Sequence, residues 1–191
     1  IEIFAAAAAA SISGHRVAHM HGGDRAEGIA DEAIRHAVTK LSHLHLPATD
    51  VSAERILRMG EPGESIFMVG SPAADGLDRI APLTDEDYNA LGSPRTILLM
   101  HGAGGSDDEE RDAARAALTA CTAEGPVLVL DPNADAGSAA IREVLDTDPQ
   151  GATRVSHLPR DRFVAALRRV NALVGNSSAG LIEAAIVGCP A

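Results

Sequence analysis

Four short apolar runs in the second half of the chain, at 95–101, 126–130, 153–157 and 172–175, are each followed by an amphipathic stretch, at 107–124, 137–146, 160–170 and 178–187. No other feature limits the fold as much. Strands buried on both faces read as continuous apolar runs, and strands separated by helices cannot pair as hairpins, so the alternation predicts a parallel sheet with helices on both sides. That is a doubly wound α/β domain. The first half repeats the pattern more loosely, with helices predicted at 1–12, 31–42 and 52–59 and strands at 16–20, 43–48 and 65–70. The Gly70-Ser71-Pro72 turn and the polar stretch as far as Ser93-Pro94 are the best candidates for a boundary between the two series of units.

Composition narrows the function. With 46% hydrophobic but only 2% aromatic residues, the core has to be built from Ala, Val, Leu and Ile, and Ala-rich packing buries little area per residue. A formal charge of -11 argues against nucleic acid, because neutralising phosphates takes clustered Lys and Arg. The longest apolar run, at 3–10, is mostly alanine, too short to span a bilayer and preceded by no basic stretch. Cys121 and Cys189 show no paired spacing and suit a reducing compartment, so the expected location is the cytoplasm and no membrane partner is expected. Both ends read as cut: residues 1–12 form a helix already under way, and 188–191 stop where a helix hands over to a strand.

The stretch from His19 to His45 holds five of the eight histidines, a Gly-Gly turn and the carboxylates Asp24, Glu27, Asp31 and Glu32. Its helix begins near Asp31, and Ile34, Ala37, Val38 and Leu41 recur at three- and four-residue intervals as a buried stripe. Asp31, Arg35 and Thr39 line one polar flank, and Glu32, His36, Lys40 and His43 line the other. Charged flanks are often merely solvated; here the segment before the helix adds weight. Gly22-Gly23 turns the backbone at the carboxyl end of a strand, where open parallel sheets bind ligands, and His19, His21 and Asp24 fall there.

Three strand ends of the second half also carry polar groups. They are His101 before Gly102, the run from Pro132 to Ser138, and the run from Gly175 to Gly180. Ser177 and Ser178 at a helix N-terminus suit a phosphate, and Glu183, further along that helix, can accept hydrogen bonds from sugar hydroxyls. Each has a plainer alternative. A serine there can be a helix cap, Asn133 and Asp135 can be turn residues, and His101 can be a hydrogen-bonded core histidine.

The segments HMHGGD, DEAIRHAVTKLSHLH, RILRMGE, VGSPAAD, PNADAGS and GNSSAGLIEA resemble, in order and approximate spacing, the hydrolysing UDP-N-acetylglucosamine 2-epimerases of sialic acid biosynthesis. The resemblance implies two incomplete Rossmann-like domains of the GT-B kind. Residues 1–70 would be the back half of the first, and residues 71–191 most of the second, UDP-binding one. It implies elimination of UDP from a UDP-sugar, addition of water to the glycal, no cofactor or metal, and a homo-oligomer for the full-length protein. Carried over, His101, Asn133, Ser177, Ser178 and Glu183 contact the nucleotide, with His101 also steadying the departing diphosphate. Asp31 is the best candidate for a catalytic carboxylate, and the second acid–base role is open among His21, Asp24 and Glu27. A Gly-Asp-Arg triplet expected just before Ile1 and an Arg-Gln loop expected after Ala191 are missing, so these 191 residues alone are expected to be inactive. His101 is followed by Gly102 where the family usually has proline.

Two other readings stay open. His19, His21, Asp24, His43 and His45 could form a metal-ligand set, since alternate residues of a strand point to one face. A GT-B glycosyltransferase would share the nucleotide contacts and need an acceptor in place of water.

Overall fold

The computed structural model describes residues 2–25 and 31–191, with the Asp31 side chain and Glu27 outside the described set. The chain divides into two compact units, Ile1–Pro72 and Ala73–Ala191. No helix among the described residues is long and apolar enough to cross a membrane.

In the first unit α1 (Glu2–Ile12) leads to β1 (Ala18–Met20), α2 (Asp31–Leu41), β2 (Leu44–Leu46) and α3 (Asp50–Arg58). β1 and β2 are parallel, with His19 opposite His45. Thr49 caps α3 by accepting the Ser52 N–H, and Ile56 on that helix is fully buried. The segment predicted as a third strand at 65–70 is instead a 3₁₀ turn, Gly63–Ser65, and an extended run joined to β2 by one bridge, His45 to Ile66. Phe67 and Val69 donate to the carbonyls of His45 and Pro47, but proline has no N–H to return, so a reciprocal ladder cannot form. On α2 the buried stripe also departs from expectation. Thr39, assigned to a polar flank, is fully buried, its hydroxyl donating to the Arg35 carbonyl and facing His19.

The second unit opens with α4 (Asp85–Ala90), a helix too short and polar to register as periodicity. Thr84 caps it, and its Tyr88 ring lies 4.0 Å under the Arg169 guanidinium. The sheet follows: β3 (Thr96–Leu99), α5 (Asp107–Ala123), β4 (Val127–Leu130), α6 (Ser138–Thr147), β5 (Thr153–Val155), α7 (Arg160–Leu167) and β6 (Ala172–Gly175). All pairings are parallel, in the order β5-β4-β3-β6.

Period-two alternation divides the strand side chains between two cores. Ile97, Leu128, Leu130 and Leu173 pack with Ala166, Leu167 and Ala184, while Leu98, Val127 and Val129 pack with Ala114, Leu118, Ile141 and Val144. The expected doubly wound parallel sheet is therefore present, with helices on both faces. The helix expected at 178–187 is broken. Ser178–Gly180 form a 3₁₀ turn, Ile182 leaves helical geometry at φ -107 and ψ -80, and α8 covers only Glu183–Val187. Gly180 inside this stretch weakens helix formation, and the N–H groups of Gly180 and Leu181 close tighter three-residue turns on Ser177 and Ser178.

Candidate functional site

Both units gather polar side chains where their strands end. In the first unit the His21 N–H continues the parallel ladder onto the Leu46 carbonyl, and the chain then turns with His21 at φ 58, a left-handed conformation uncommon outside glycine. Gly22 and Gly23 are required behind it. A Cβ on Gly22 would stand 2.8 Å from His19 Nδ1, and one on Gly23 would stand 2.2 Å from the Ser52 carbonyl oxygen. The turn is held from both sides of the His21 ring, Nδ1 lying 2.7 Å from Asp24 Oδ2 and Nε2 3.1 Å from Ser71 Oγ. Ser52 Oγ donates to Asp24 Oδ1 at 2.6 Å, and Arg35 stands 3.7 Å from Asp24 Oδ2.

The five histidines of this region go separate ways. His43 accepts the Val17 N–H, His36 pairs with Glu32, and fully buried His45 lies 3.3 Å from Glu61. His19 Nδ1 faces Thr39 Oγ1 at 3.2 Å; since that hydroxyl donates elsewhere, Nδ1 carries the proton. Burial, reinforced by His45 and Arg35 and opposed by Asp24, pushes the His19 pKa down to about 4, so the ring is neutral at physiological pH. The proposed metal-ligand set is not assembled: among the described residues no three His, Cys, Asp or Glu side chains could hold a metal ion. Asp31 begins α2, and its side chain and Glu27 lie outside the described residues.

In the second unit His101 joins three strand ends. Its backbone N–H donates to Asn176 Oδ1 at 2.7 Å and its carbonyl accepts from Asn176 Nδ2 at 2.8 Å, so one amide side chain prolongs the ladder between β3 and β6. The Asn133 N–H donates to His101 Nδ1 at 3.2 Å, tying in the segment after β4. A backbone N–H can only donate, so the neutral ring keeps its proton on Nε2. Burial lowers the His101 pKa against the opposing pull of Asp135, favouring that neutral form. Asn133 Oδ1 accepts the Asp135 N–H in an Asx turn, which makes the turn-residue reading of this pair correct as far as it goes.

The other expected contacts lie at the same edge. Ser177 Oγ accepts the Ala179 N–H at 3.3 Å and is thus a cap; Ser178 is exposed on the 3₁₀ turn. The α-helical dipole expected at Ser178 is absent, because α8 starts only at Glu183. Glu183 is partly buried, with Oε1 3.9 Å from Arg160 Nε.

Several organising residues escaped the sequence reading. Glu110 is buried, and its Oε1 accepts the N–H groups of Ala103 and Gly105, shaping the loop after His101. Its position in register with Ala114, Leu118 and Cys121 on the buried stripe of α5 was the available signal. Gly102, singled out in the sequence only for standing where the family usually has proline, lies so close to the next loop that a Cβ would stand 1.9 Å from the Ala136 carbonyl oxygen. Asp131 is bracketed by Arg154 at 2.5 Å and Arg142 at 3.1 Å, and Arg142 also donates to the carbonyls of Pro132 and Asn133.

Comparison with known proteins gives this arrangement a context. The family described as UDP-N-acetylglucosamine 2-epimerase matches residues 1–191. A Legionella pneumophila protein named UDP-N,N'-diacetylbacillosamine 2-epimerase (hydrolyzing) is 36% identical, over 96% of this chain and 51% of its own length. The Neisseria meningitidis protein named UDP-N-acetylglucosamine 2-epimerase is 30% identical, over 100% of this chain and 52% of its own. The chain thus spans about half the length of the curated relatives it matches. The Methanocaldococcus jannaschii UDP-GlcNAc 2-epimerase, solved in complex with UDP-GlcNAc and UDP, shares the fold at a TM-score of 0.77 and 18% identity, covering 98% of this chain and 56% of that one. A family match along the whole sequence, a relative above 30% identity and a shared fold lead to one conclusion: the chain belongs to the UDP-N-acetylglucosamine 2-epimerase family.

Proposed function

We propose that the full-length protein containing this chain is a hydrolysing 2-epimerase, which converts a UDP-2-acetamido sugar and water into UDP and the free 2-epimeric sugar. The observation that carries the reading is the three-way junction at His101, where a neutral imidazole with its proton on Nε2 stands at the carboxyl edge of a parallel sheet.

Residues 73–191 hold UDP in this reading. His101 Nε2–H donates to the diphosphate, joined by the hydroxyls of Ser177 and Ser178 and the Asn133 amide, while Glu183 accepts from nucleotide hydroxyls. The first unit supplies proton transfer. The C2–H bond of the sugar breaks, its electron pair forms the C1=C2 bond, and UDP leaves C1 as an anion. Removing so weakly acidic a proton needs both a placed base and stabilisation of the leaving diphosphate. Asp31, His21 and Asp24 are the first unit's groups for that task, and His101 serves the second. Water then adds at C1 while C2 regains a proton on the other face. The 36% identity to a relative named as hydrolysing supports water as the second reactant.

Incubating the full-length protein with UDP-N-acetylglucosamine and no acceptor is expected to release UDP and free N-acetylmannosamine in equal amounts. UDP release only on adding an acceptor sugar would replace the reading by glycosyl transfer. Formation of UDP-N-acetylmannosamine without UDP release would make the enzyme non-hydrolysing. Ser178→Ala is expected to weaken UDP binding by about 1–3 kcal/mol, read by calorimetry, with unchanged affinity removing Ser178 from the site.

A further inference from the structure

Among the acid–base candidates, Asp24 is fully engaged with its own protein. One carboxylate oxygen takes the Ser52 hydroxyl at 2.6 Å, the other takes His21 Nδ1 at 2.7 Å, and the Ser52 hydroxyl oxygen is itself 2.9 Å from Thr49 Oγ1. An ionised carboxylate only accepts, so His21 keeps its proton on Nδ1 and presents Nε2 as the basic nitrogen. Nε2 does not face open solvent alone: Ser71 Oγ stands 3.1 Å from it, brought there from 50 residues away in sequence. The series Ser52, Asp24, His21, Ser71 is therefore a directed chain of hydrogen bonds with one movable proton at its Ser71 end.

Building such a chain carries a conformational cost. His21 adopts φ 58 while its ring is held by hydrogen bonds at both nitrogens. A left-handed backbone turns the imidazole back over the strand end toward Asp24 instead of outward. Gly22 and Gly23 remove the side chains that would block that turn.

Resting on the epimerase reading, we propose that His21 is the base of the first unit that takes the C2 proton from the sugar, that Asp24 and Ser52 are positioning residues acting through it, and that the Ser71 hydroxyl relays the proton. In the elimination, the proton leaving C2 reaches His21 Nε2 through Ser71, whose oxygen accepts one proton as it passes on its own. The resulting imidazolium is stabilised by the Asp24 carboxylate. In the hydration, C2 takes a proton from solvent on the face opposite the relay while the water that adds to C1 loses one, and the imidazolium passes its proton to solvent, leaving His21 neutral. Nothing is oxidised or reduced, and the chain ends each turnover as it began.

The test has a structural and a kinetic arm. Nitrogen-15 NMR of ring-labelled histidine, with the His21 signals identified by their loss in His21→Gln, is expected to show the proton of the neutral ring on Nδ1. Asp24→Asn, which can offer an N–H to Nδ1, is expected to move that proton to Nε2 and lower the kcat of UDP release by about a hundredfold or more. Ser71→Ala is expected to leave the tautomer in place yet lower kcat about tenfold or more with KM little changed, and Ser71→Thr, which keeps the hydroxyl, to restore most of it. Ser52→Ala, a milder change if Asp24→Asn does not fold, is expected to lower kcat several-fold with a partial tautomer shift.

A wild-type proton on Nε2, an unmoved tautomer in Asp24→Asn, or wild-type kcat in Ser71→Ala would overturn the proposal. Should the full-length protein release no UDP at all, the epimerase reading fails, and the relay that depends on it fails as well, even with the tautomer as expected. Product formation with a wrong tautomer sinks the relay alone.

Discussion

The two strand-end clusters are built by opposite means. At the end of β1, ionisable side chains hold one another: His21 against Asp24, Asp24 against Ser52 and Arg35. At the ends of β3, β4 and β6, side chains hold backbone: Asn176 both groups of His101, His101 the Asn133 N–H, Glu110 the N–H groups of Ala103 and Gly105. The first kind of network is sensitive to where a proton sits, the second to where a loop sits. A group that exchanges protons with substrate needs the former, and a cradle for an anion needs the latter, because donors aimed in advance require no rearrangement when the charge arrives.

Gly102→Ala attacks the loop architecture most directly. A methyl 1.9 Å from the Ala136 oxygen forces the two loops apart, and the expected cost is about 3 kcal/mol or more of stability in the second unit, with loss of UDP binding by calorimetry. Gly60→Ala in the first unit is the control, since it has φ 89 but nothing within 4 Å and should cost only about 1 kcal/mol. Gly102 itself has no left-handed φ, so a cost no larger than that at Gly60 would show that the loops give way and the contact decides little.

Asn176→Ala removes two hydrogen bonds to one residue's backbone on the exposed edge. Urea unfolding is expected to register about 1–2 kcal/mol, and UDP affinity should fall with it because His101 loses its anchor. Intact affinity would mean that the Asn133 contact alone places the imidazole.

The smallest effect sharpens the electrostatic side of the contrast. The His19 pKa drops from its ordinary 6.5 to about 4 on folding, so between these values the unfolded chain binds a proton that the folded one refuses. Stability is therefore full above the unfolded value and is lost as pH falls toward 4. For this part-exposed ring the loss should be about 1–2 kcal/mol after allowance for solvent screening. His19→Gln should flatten that limb of the stability profile; an unchanged slope would assign it to another group.

How much of this was legible beforehand depended on whether the signal was local. The apolar runs Ile97–Leu99 of β3 and Val127–Leu130 of β4 announce a buried parallel sheet on their own. His21, Asp24, His101 and Asn133 could be singled out because unusual residue types stood at strand ends. Ser71 could not be connected to His21, since the contact joins residues 50 apart through a turn whose path no periodicity encodes. Glu110 was hidden for a related reason: a carboxylate in an acidic first turn reads as a dipole partner until the loop that buries it is seen. The run at 65–70 has the composition of a strand, yet pairing needs a neighbour with donors to give, and Pro47 has none.

Successive residues of Ile97–Leu99 in β3 and of Val127–Leu130 in β4 belong to opposite cores. A polar replacement anywhere along them would therefore bury an unpaired group on one side or the other. Diversification in this unit is confined to the positions that begin where the strands stop. A lineage changing the molecule it accepts would rewrite residues 100–106, 131–137 and 176–182 and inherit the apolar strand segments nearly verbatim.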